Sequence, residues 1–234
     1  MDSALLYIPI CRNNYGDIMC AVKIQTLTPT EAAVVACVPV RDVNRIIDER
    51  ILPEAFYVAD RDRTRRFCAD ACAFISFYFR AANRLTSEER RRTIAVASAR
   101  LREESGSALE KEWIIREEFL TIDLAPFLRS VHERLARLAV AQALVIEDAD
   151  IMGGTPVIRD TRIPVYDVAA SAAAGLPPAR ILAAYPGLTA EAVELAVFYA
   201  EANPQRGRPR RPASPPAGAV IVFTSRKPRR ELAS

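Results

Sequence analysis

GGTPVIRDTRIPVYDVAASAAAGLPPARILAAYPGLTAEAVELAVFYAEANP, residues 153–204, is the stretch whose reading decides the fold. ThrProValIle (155–158) and IleProVal (163–165) are β-branched runs on either side of the polar ArgAspThrArg (159–162), the pattern of a β-hairpin. From Tyr166 to Ala174 no breaker intervenes, and Gly175 supplies a left-handed helix stop. Pro177 and Pro178 then open a second, short helix that ends at TyrProGly (185–187). Thr189 is the N-cap expected for a third helix from Ala190 to Ala202, closed by Asn203 and Pro204.

The last two helices, joined by a short turn, offer Ile181, Leu182, Leu188, Val193, Ala196 and Val197 for one apolar face, a helix-turn-helix with a hairpin attached. GlyGly (153–154), ProValIleArg (156–159), ThrArgIleProVal (161–165), AlaGlyLeuPro (174–177), TyrPro (185–186) and PheTyrAla (198–200) follow one another in this segment. In order and spacing they resemble the domain-of-unknown-function-433 family, over about a quarter of the chain. The resemblance implies an antitoxin-like domain with a winged or homeodomain-like helix-turn-helix, often encoded beside a PIN-like ribonuclease toxin. One position departs from the family: Asp160 stands at the hairpin tip where Gly is usual. Asp tolerates left-handed dihedrals better than most residues, so the turn is expected to survive.

A chain of 234 residues, half of them apolar, is one large or two small domains with ample core, and its sixteen Pro and eight Gly suit a mainly helical fold with several breaks. The formal net charge of +3 does not diagnose a nucleic-acid binder, but its distribution is uneven. From Asn203 onward eight basic residues face one acid, Glu231, which places +7 in the tail and −4 in the rest. Five cysteines, an odd number without a secretory signal ahead of them, point to a reducing cytoplasm, and no apolar run reaches membrane-span length.

Residues 1–25 read as a leader with a possible hairpin, AlaLeuLeuTyrIleProIle (4–10) and IleMetCysAlaValLysIle (18–24) around AsnAsnTyrGly (13–16). Met19 stands as an alternative start, which the intact mass of the native protein distinguishes from Met1. Residues 26–142 are expected to form a helical domain opened by a helix-turn-helix. ThrProThrGlu (28–31) is a capping box with Pro at the first helical position, AlaAlaValValAla (32–36) a compact helix body, and CysValPro (37–39) a turn. The next helix, residues 40–48, turns Val43, Ile46 and Ile47 inward and Arg41, Asn44 and Arg45 outward. Arg and Asn are suited to bidentate contacts with guanine and adenine edges, which makes these three candidate DNA-reading residues; the plainer alternative is that the two arginines solvate a helix face. The arrangement resembles the DNA-binding domain at the N-terminus of some VapB-type antitoxins whose C-terminus carries the hairpin domain.

An apolar helix is expected from Phe67 to Ala82, with Cys68, Cys72, Ile75 and Phe79 along one core stripe; without a His or a second cysteine pair, the two cysteines are not read as metal ligands. A capping box at Thr86 and Glu89 starts a helix running to about Glu104, whose ArgArgArg (90–92) pairs in part with Glu88 and Glu89 as a charged solvent face, phosphate contact being the second reading. Residues 113–123 switch to period two, a hairpin or two edge strands. Asp123 caps a helix to about Ala143, on which Leu128, Val131, Leu135 and Leu138 form a seam for packing within the monomer or for dimerisation. The single histidine, His132, lies off that seam and is read as a surface residue with no nucleophile beside it. No catalytic residue, metal site or cofactor is expected: Asp148, Asp150, Asp160 and Asp167 are near in sequence but sit where acids cap helices and turns.

In residues 143–204, the acids Glu191, Glu194 and Glu201 project from the third helix and would repel phosphates, so Arg159, Arg162 and Arg180 are the better DNA-contact candidates, with protein binding or dimerisation as the alternative for this domain. The tail from residue 205 opens with ArgGlyArgProArgArgProAlaSerProPro (206–216), a composition that cannot pack a core and is expected to be disordered when free. AlaValIleValPhe (219–223) follows, able to add to a partner's sheet edge. The VapB-type resemblance implies that such a segment occupies a toxin's acidic, metal-binding active site, which assigns Arg206, Arg208, Arg210, Arg211, Val220, Val222 and Phe223 to toxin binding; a nonspecific DNA-binding tail is the alternative. The expectation is a cytoplasmic, homodimeric antitoxin of a type II toxin-antitoxin pair, not an enzyme, that represses its own operon through operator DNA. A DNA-binding regulator without a toxin partner is the alternative.

Overall fold

The computed structural model describes residues 26–59, 65–103, 113–117 and 119–205. The leader hairpin, the end of the helix expected to reach Glu104, and the tail from Arg206 onward, with all of its toxin-binding candidates, lie outside the described residues. Within them the protein is mainly helical. The α-helices are α1 (Pro29–Ala36), α2 (Val40–Asp48), α3 (Ala71–Arg80), α4 (Ser87–Glu103), α5 (Ala125–Leu144), α6 (Val165–Ala173), α7 (Pro178–Ala184) and α8 (Ala190–Ala202). Seven short strands accompany them: β1 (Thr26–Leu27), β2 (Tyr57–Ala59), β3 (Arg65–Cys68), β4 (Ile114–Glu117), β5 (Leu120–Asp123), β6 (Val145–Ile146) and β7 (Val157–Ile158). None of the described helices is long and apolar enough to cross a membrane.

The strands form three small antiparallel sheets, ordered β1-β3-β2, β4-β5 and β6-β7. In the first, Phe67 lies opposite both Leu27 and Tyr57, and all of its side chain is buried. This corrects the expected helix over 67–82. Phe67 and Cys68 belong to β3, and the helix begins only at Ala71, after a turn. The apolar stripe is real, but hydrogen bonding from neighbours distant in sequence outweighs a local helical period. Cys72 and Ile75 are fully buried on α3, while Cys68 joins the same core from the strand.

One hydrophobic core runs from Leu27 to Ala202. Twenty-residue α5 is its spine. Val131, Leu135 and Leu138 are buried against α3 and α8, so the apolar seam is consumed inside the chain. Phe77 of α3 meets Phe127 of α5 edge to face at 5.5 Å. Helix α8 packs against α5, α6 and α1, and the joint is tied by polar contacts as well. Arg134 donates from Nε to the Val34 carbonyl at 2.8 Å, and Gln142 donates to the buried Glu31 carboxylate at 2.9 Å. The Arg134 and Arg137 guanidinium groups lie 5.3 and 5.1 Å from the Phe198 ring centroid. His132 is half-buried on α5 rather than at the open surface.

The hairpin at residues 155–165 is present in reduced form. Ile158 donates to the Ile163 carbonyl at 3.0 Å and Val165 to that of Pro156 at 3.0 Å, but the second arm is only a bridge at Pro164, because α6 starts at Val165. The free edge of β7 pairs instead with β6. Asp160 takes the left-handed conformation at the tip, φ 60°, as does Gly175 behind α6, φ 78°. Leu176 donates to Ser171 and Gly175 to Ala172, the crossed bonds that close a helix C-terminus.

Candidate nucleic-acid interface

The first helix pair is built by local chemistry. Thr28 Oγ1 accepts from the Glu31 amide at 3.2 Å and the Glu31 carboxylate accepts from the Thr28 amide at 2.8 Å, closing the capping box. At the other end of α1, Cys37 is left-handed, φ 56°, with Val38 donating to Ala33 and Cys37 to Val34. That crossed closure sets the turn that delivers Pro39 as the N-cap of α2. Helix α2 ends the same way: Ile51 donates to Ile46 and Arg50 to Ile47, with Arg50 at φ 49°.

Val43 and Ile46 are completely buried, so the opposite side of α2 is what the surface sees. Val40 and the side chains of Arg41 and Arg45 are exposed there, and Arg41 is 83% exposed, its Nε 3.9 Å from Asp42, its one ion-pair partner among the described residues. Arg45 lies along the helix, its Nε donating to Glu49 at 3.0 Å, its Nη1 3.6 Å from Asp42, and its guanidinium 5.6 Å from the Phe79 ring centroid. Asn44 is engaged on both ends: Nδ2 donates to the Val40 carbonyl at 3.2 Å, and Oδ1 accepts from Arg65 Nη1 at 3.0 Å. Arg65 also holds Asp48 at 2.7 Å, so Asn44 serves as an anchor between α2 and β3 while Arg41 projects freely.

Sequence reasoning missed the role of the ArgArgArg run. Only Arg92 behaves as expected, 3.5 Å from Glu88. Arg90 turns inward, donating to the Tyr78 and Thr86 carbonyls with its guanidinium 4.3 Å from the Tyr78 ring centroid. Arg91 reaches across to α2, donating from Nη1 to the Glu49 carbonyl at 3.4 Å, with Nη2 3.9 Å from the Glu49 carboxylate. No local signal could have found that pairing, because the partners lie 42 residues apart.

The three C-terminal arginine candidates have different fates. Arg159 Nε and Nη2 donate to the Ala143 carbonyl at 2.9 and 2.6 Å, satisfying an orphan acceptor in the last turn of α5. Arg162 and Arg180 are exposed, and no described residue forms an ion pair or hydrogen bond with either side chain. Helix α8 is a core element: Val193, Leu195, Ala196, Phe198, Tyr199 and Ala202 are buried. Glu191, Glu194 and Glu201 do point outward, and Glu194 pairs with Arg137 at 3.3 Å.

Other chemistry-bearing groups are occupied with structure. Asp148 accepts from the Asp150 amide at 2.9 Å and so caps its own turn. Burial, reinforced by the nearby charges of Asp70 and Glu31, pushes the Cys72 thiol far up, away from thiolate chemistry. Desolvation and a hydrogen bond to Glu147 at 3.1 Å push the Tyr199 phenol up as well.

Rv2018 from Mycobacterium tuberculosis, a solved structure, aligns over 76% of this chain and 98% of its own at 16% identity, with a TM-score of 0.32, too low to show a shared fold. Residues 145–200, from β6 into α8, match the family described as "Protein of unknown function (DUF433)". Across 210 residues, 88% of this chain and 94% of the relative, the sequence is 52% identical to the uncharacterized protein y4eO of Sinorhizobium fredii (strain NBRC 101917 / NGR234). The chain therefore belongs to the family of that protein and carries a DUF433 segment at its C-terminal end.

Proposed function

We propose that this protein is the antitoxin of a type II toxin-antitoxin pair, which represses its own operon through α2 and neutralises a PIN-like ribonuclease toxin with its basic tail. The observation that carries the DNA-binding half is the free face of α2. It is a short helix packed on α1 and α3 with Val43 and Ile46 buried and Arg41 projecting into solvent. Arg45 is available too, since an exposed ion pair such as Arg45–Glu49 contributes only about 0–1 kcal/mol and is readily exchanged for a contact with DNA. Asn44 supports the pair by fixing α2 to β3. Arg162 and Arg180 supply unpaired charge for a second, weaker contact. The toxin-binding half rests on the sequence of the tail.

One helix of nine residues covers a single half-site, and paired half-sites give a regulator its affinity, so the functional unit is a homodimer. Its interface lies outside the α5 seam, which α3 and α8 already cover.

The test has two readouts on the full chain. Affinity purification from the native host after nuclease treatment is expected to recover a small ribonuclease in near-equal amount, and a chain ending at Pro204 is expected to lose it. Recovery of the chain alone favours a plain regulator. In parallel, Arg41→Ala is expected to weaken binding to the DNA upstream of its own gene about tenfold or more, the scale of one lost base contact. Unchanged affinity would remove α2 from the interface.

A further inference from the structure

Two arginines from different elements converge on one carboxylate beside α2. Arg45 Nε donates to Glu49 Oε1 at 3.0 Å, and Arg91 of α4 lies with Nη2 3.9 Å from Glu49 Oε2 while Nη1 reaches the Glu49 carbonyl at 3.4 Å. All three side chains are roughly half exposed, at 51%, 41% and 41% for Arg45, Arg91 and Glu49. The position of both guanidinium groups is set from behind by aromatic rings: Arg45 is 5.6 Å from the Phe79 centroid and Arg91 is 6.0 Å from that of Tyr78. The two rings are neighbours on α3, edge to face with centroids 5.1 Å apart, and each has one of the two cations beside it, both facing the same anion.

From this geometry we infer that the Arg45–Arg91 pair is a seat for a DNA backbone phosphate, and that the Glu49 carboxylate fills this seat in the free protein. The inference rests on the reading of α2 as the DNA-facing helix, and it assigns α4 to the same interface. A phosphodiester carries the charge of a carboxylate and offers acceptor oxygens in similar directions, and Arg pairs with either in a fork. Exchange costs little on the protein side, because exposed ion pairs are weak. On the DNA side each phosphate neutralised releases condensed counterion, so the seat adds affinity without adding sequence preference. Glu49 then acts as a built-in competitor: it lowers binding to every duplex by the same factor, leaving discrimination to Arg41 on the free face.

The experiment uses the full chain and two fluorescent 24-base-pair duplexes, one copied from the DNA upstream of its own gene and one of shuffled sequence, titrated between 50 and 200 mM salt. Arg91→Ala is expected to weaken both duplexes equally, by about three- to tenfold, and to lower the slope of log affinity against log salt by about 1. Arg91→Lys, which keeps the charge, is expected to retain most of that slope. Glu49→Gln is expected to tighten both duplexes at least threefold. If Arg91→Ala and Glu49→Gln leave both affinities and the slope unchanged while Arg41→Ala weakens the upstream duplex, the seat is wrong and the α2 reading stands. If the wild-type chain binds neither duplex, the DNA-binding reading falls and the seat with it.

Discussion

The pair α1–α2 and the pair α7–α8 present nearly the same pattern in sequence: a short helix entered through proline, a tight turn, and a second helix with apolar positions along one side. They differ in what remains of the second helix after packing. Helix α2 buries one side, through Val43 and Ile46, and leaves Arg41 and Arg45 in solvent. Helix α8 is enclosed by α5, α6 and α1, and what reaches its surface is acidic. A helix-turn-helix is a packing unit first. It becomes a reading device only where the surrounding fold leaves the second helix an open, cationic face, because a buried helix cannot enter a groove and an acidic one is repelled by phosphate.

The sharpest way to break this comparison is to hollow out the joint under α8. Phe198 is 5% exposed and carries two guanidinium groups over its ring. Phe198→Ala is expected to cost about 3–5 kcal/mol, the usual range for a buried phenylalanine. Because the core is continuous from Leu27 to Ala202, calorimetry is expected to show one transition moving down as a whole. Two separated transitions would show that α8 belongs to an independent unit, free to dock elsewhere.

A smaller effect contrasts the two exposed faces directly. Arg41→Gln is expected to cost upstream-DNA binding about 1–3 kcal/mol, whereas Glu191→Gln in the first turn of α8 leaves it within twofold. If neutralising Glu191 strengthens DNA binding severalfold, the acidic end of α8 approaches phosphates after all and the contrast between the two pairs collapses.

Local chemistry made much of this legible. The capping boxes at Thr28 and Thr86, the N-cap at Thr189, the left-handed Gly175 and Asp160, and the hairpin pairing Ile115 with Ile122 all follow from residues within a few positions of one another. What escaped is non-local. Phe67 and Cys68 carry a helical stripe but are held in β3 by partners forty residues earlier and ten residues earlier. Val145 and Ile146, beyond the helix expected to about Ala143, form a strand because β7 offers its free edge. The same holds for the site: the outward direction of Arg41 was written in the period of α2, whereas the engagement of Asn44 by Arg65, the reach of Arg91 and the use of Arg159 as a staple on α5 depend on segments the fold brings together.

The caps permit a finer comparison. Thr189 makes a single bond, accepting from the Ala192 amide at 3.1 Å. Thr28 is part of a reciprocal box whose Glu31 is buried and also holds Gln142. Removing a capping hydroxyl costs about 1 kcal/mol, and where a buried acceptor is left short of a donor the cost rises. Thr28→Ala is therefore expected to lower stability by about 1–2 kcal/mol in urea denaturation and Thr189→Ala by about 0.5–1 kcal/mol. Equal losses would mean that the box adds nothing to the simple cap, and that the α1 joint is no more tightly specified than that of α8.

The acids on the two sides also differ in exposure. Those of α8 are in solvent, but Asp70, ahead of α3, is half-buried, and desolvation raises its carboxyl above the ordinary value of 3.8. Its side chain makes no capping bond to α3 that would offset the burial. A raised value means that the folded state holds the proton more tightly than the unfolded chain. The stabilisation from the protonated form is thus fully present below pH 3.8 and is lost as pH rises through the folded value. Above that window the half-buried carboxylate is a burden, which Asn does not carry at any pH. Asp70→Asn is expected to match the wild type in thermal melts near pH 3 and to exceed it slightly at pH 7, the smallest of these effects. A lower melting temperature for the variant at pH 7 would show that the ionised carboxylate is held by the α3 N-terminus, and that burial on the α1 side is less complete than its packing implies.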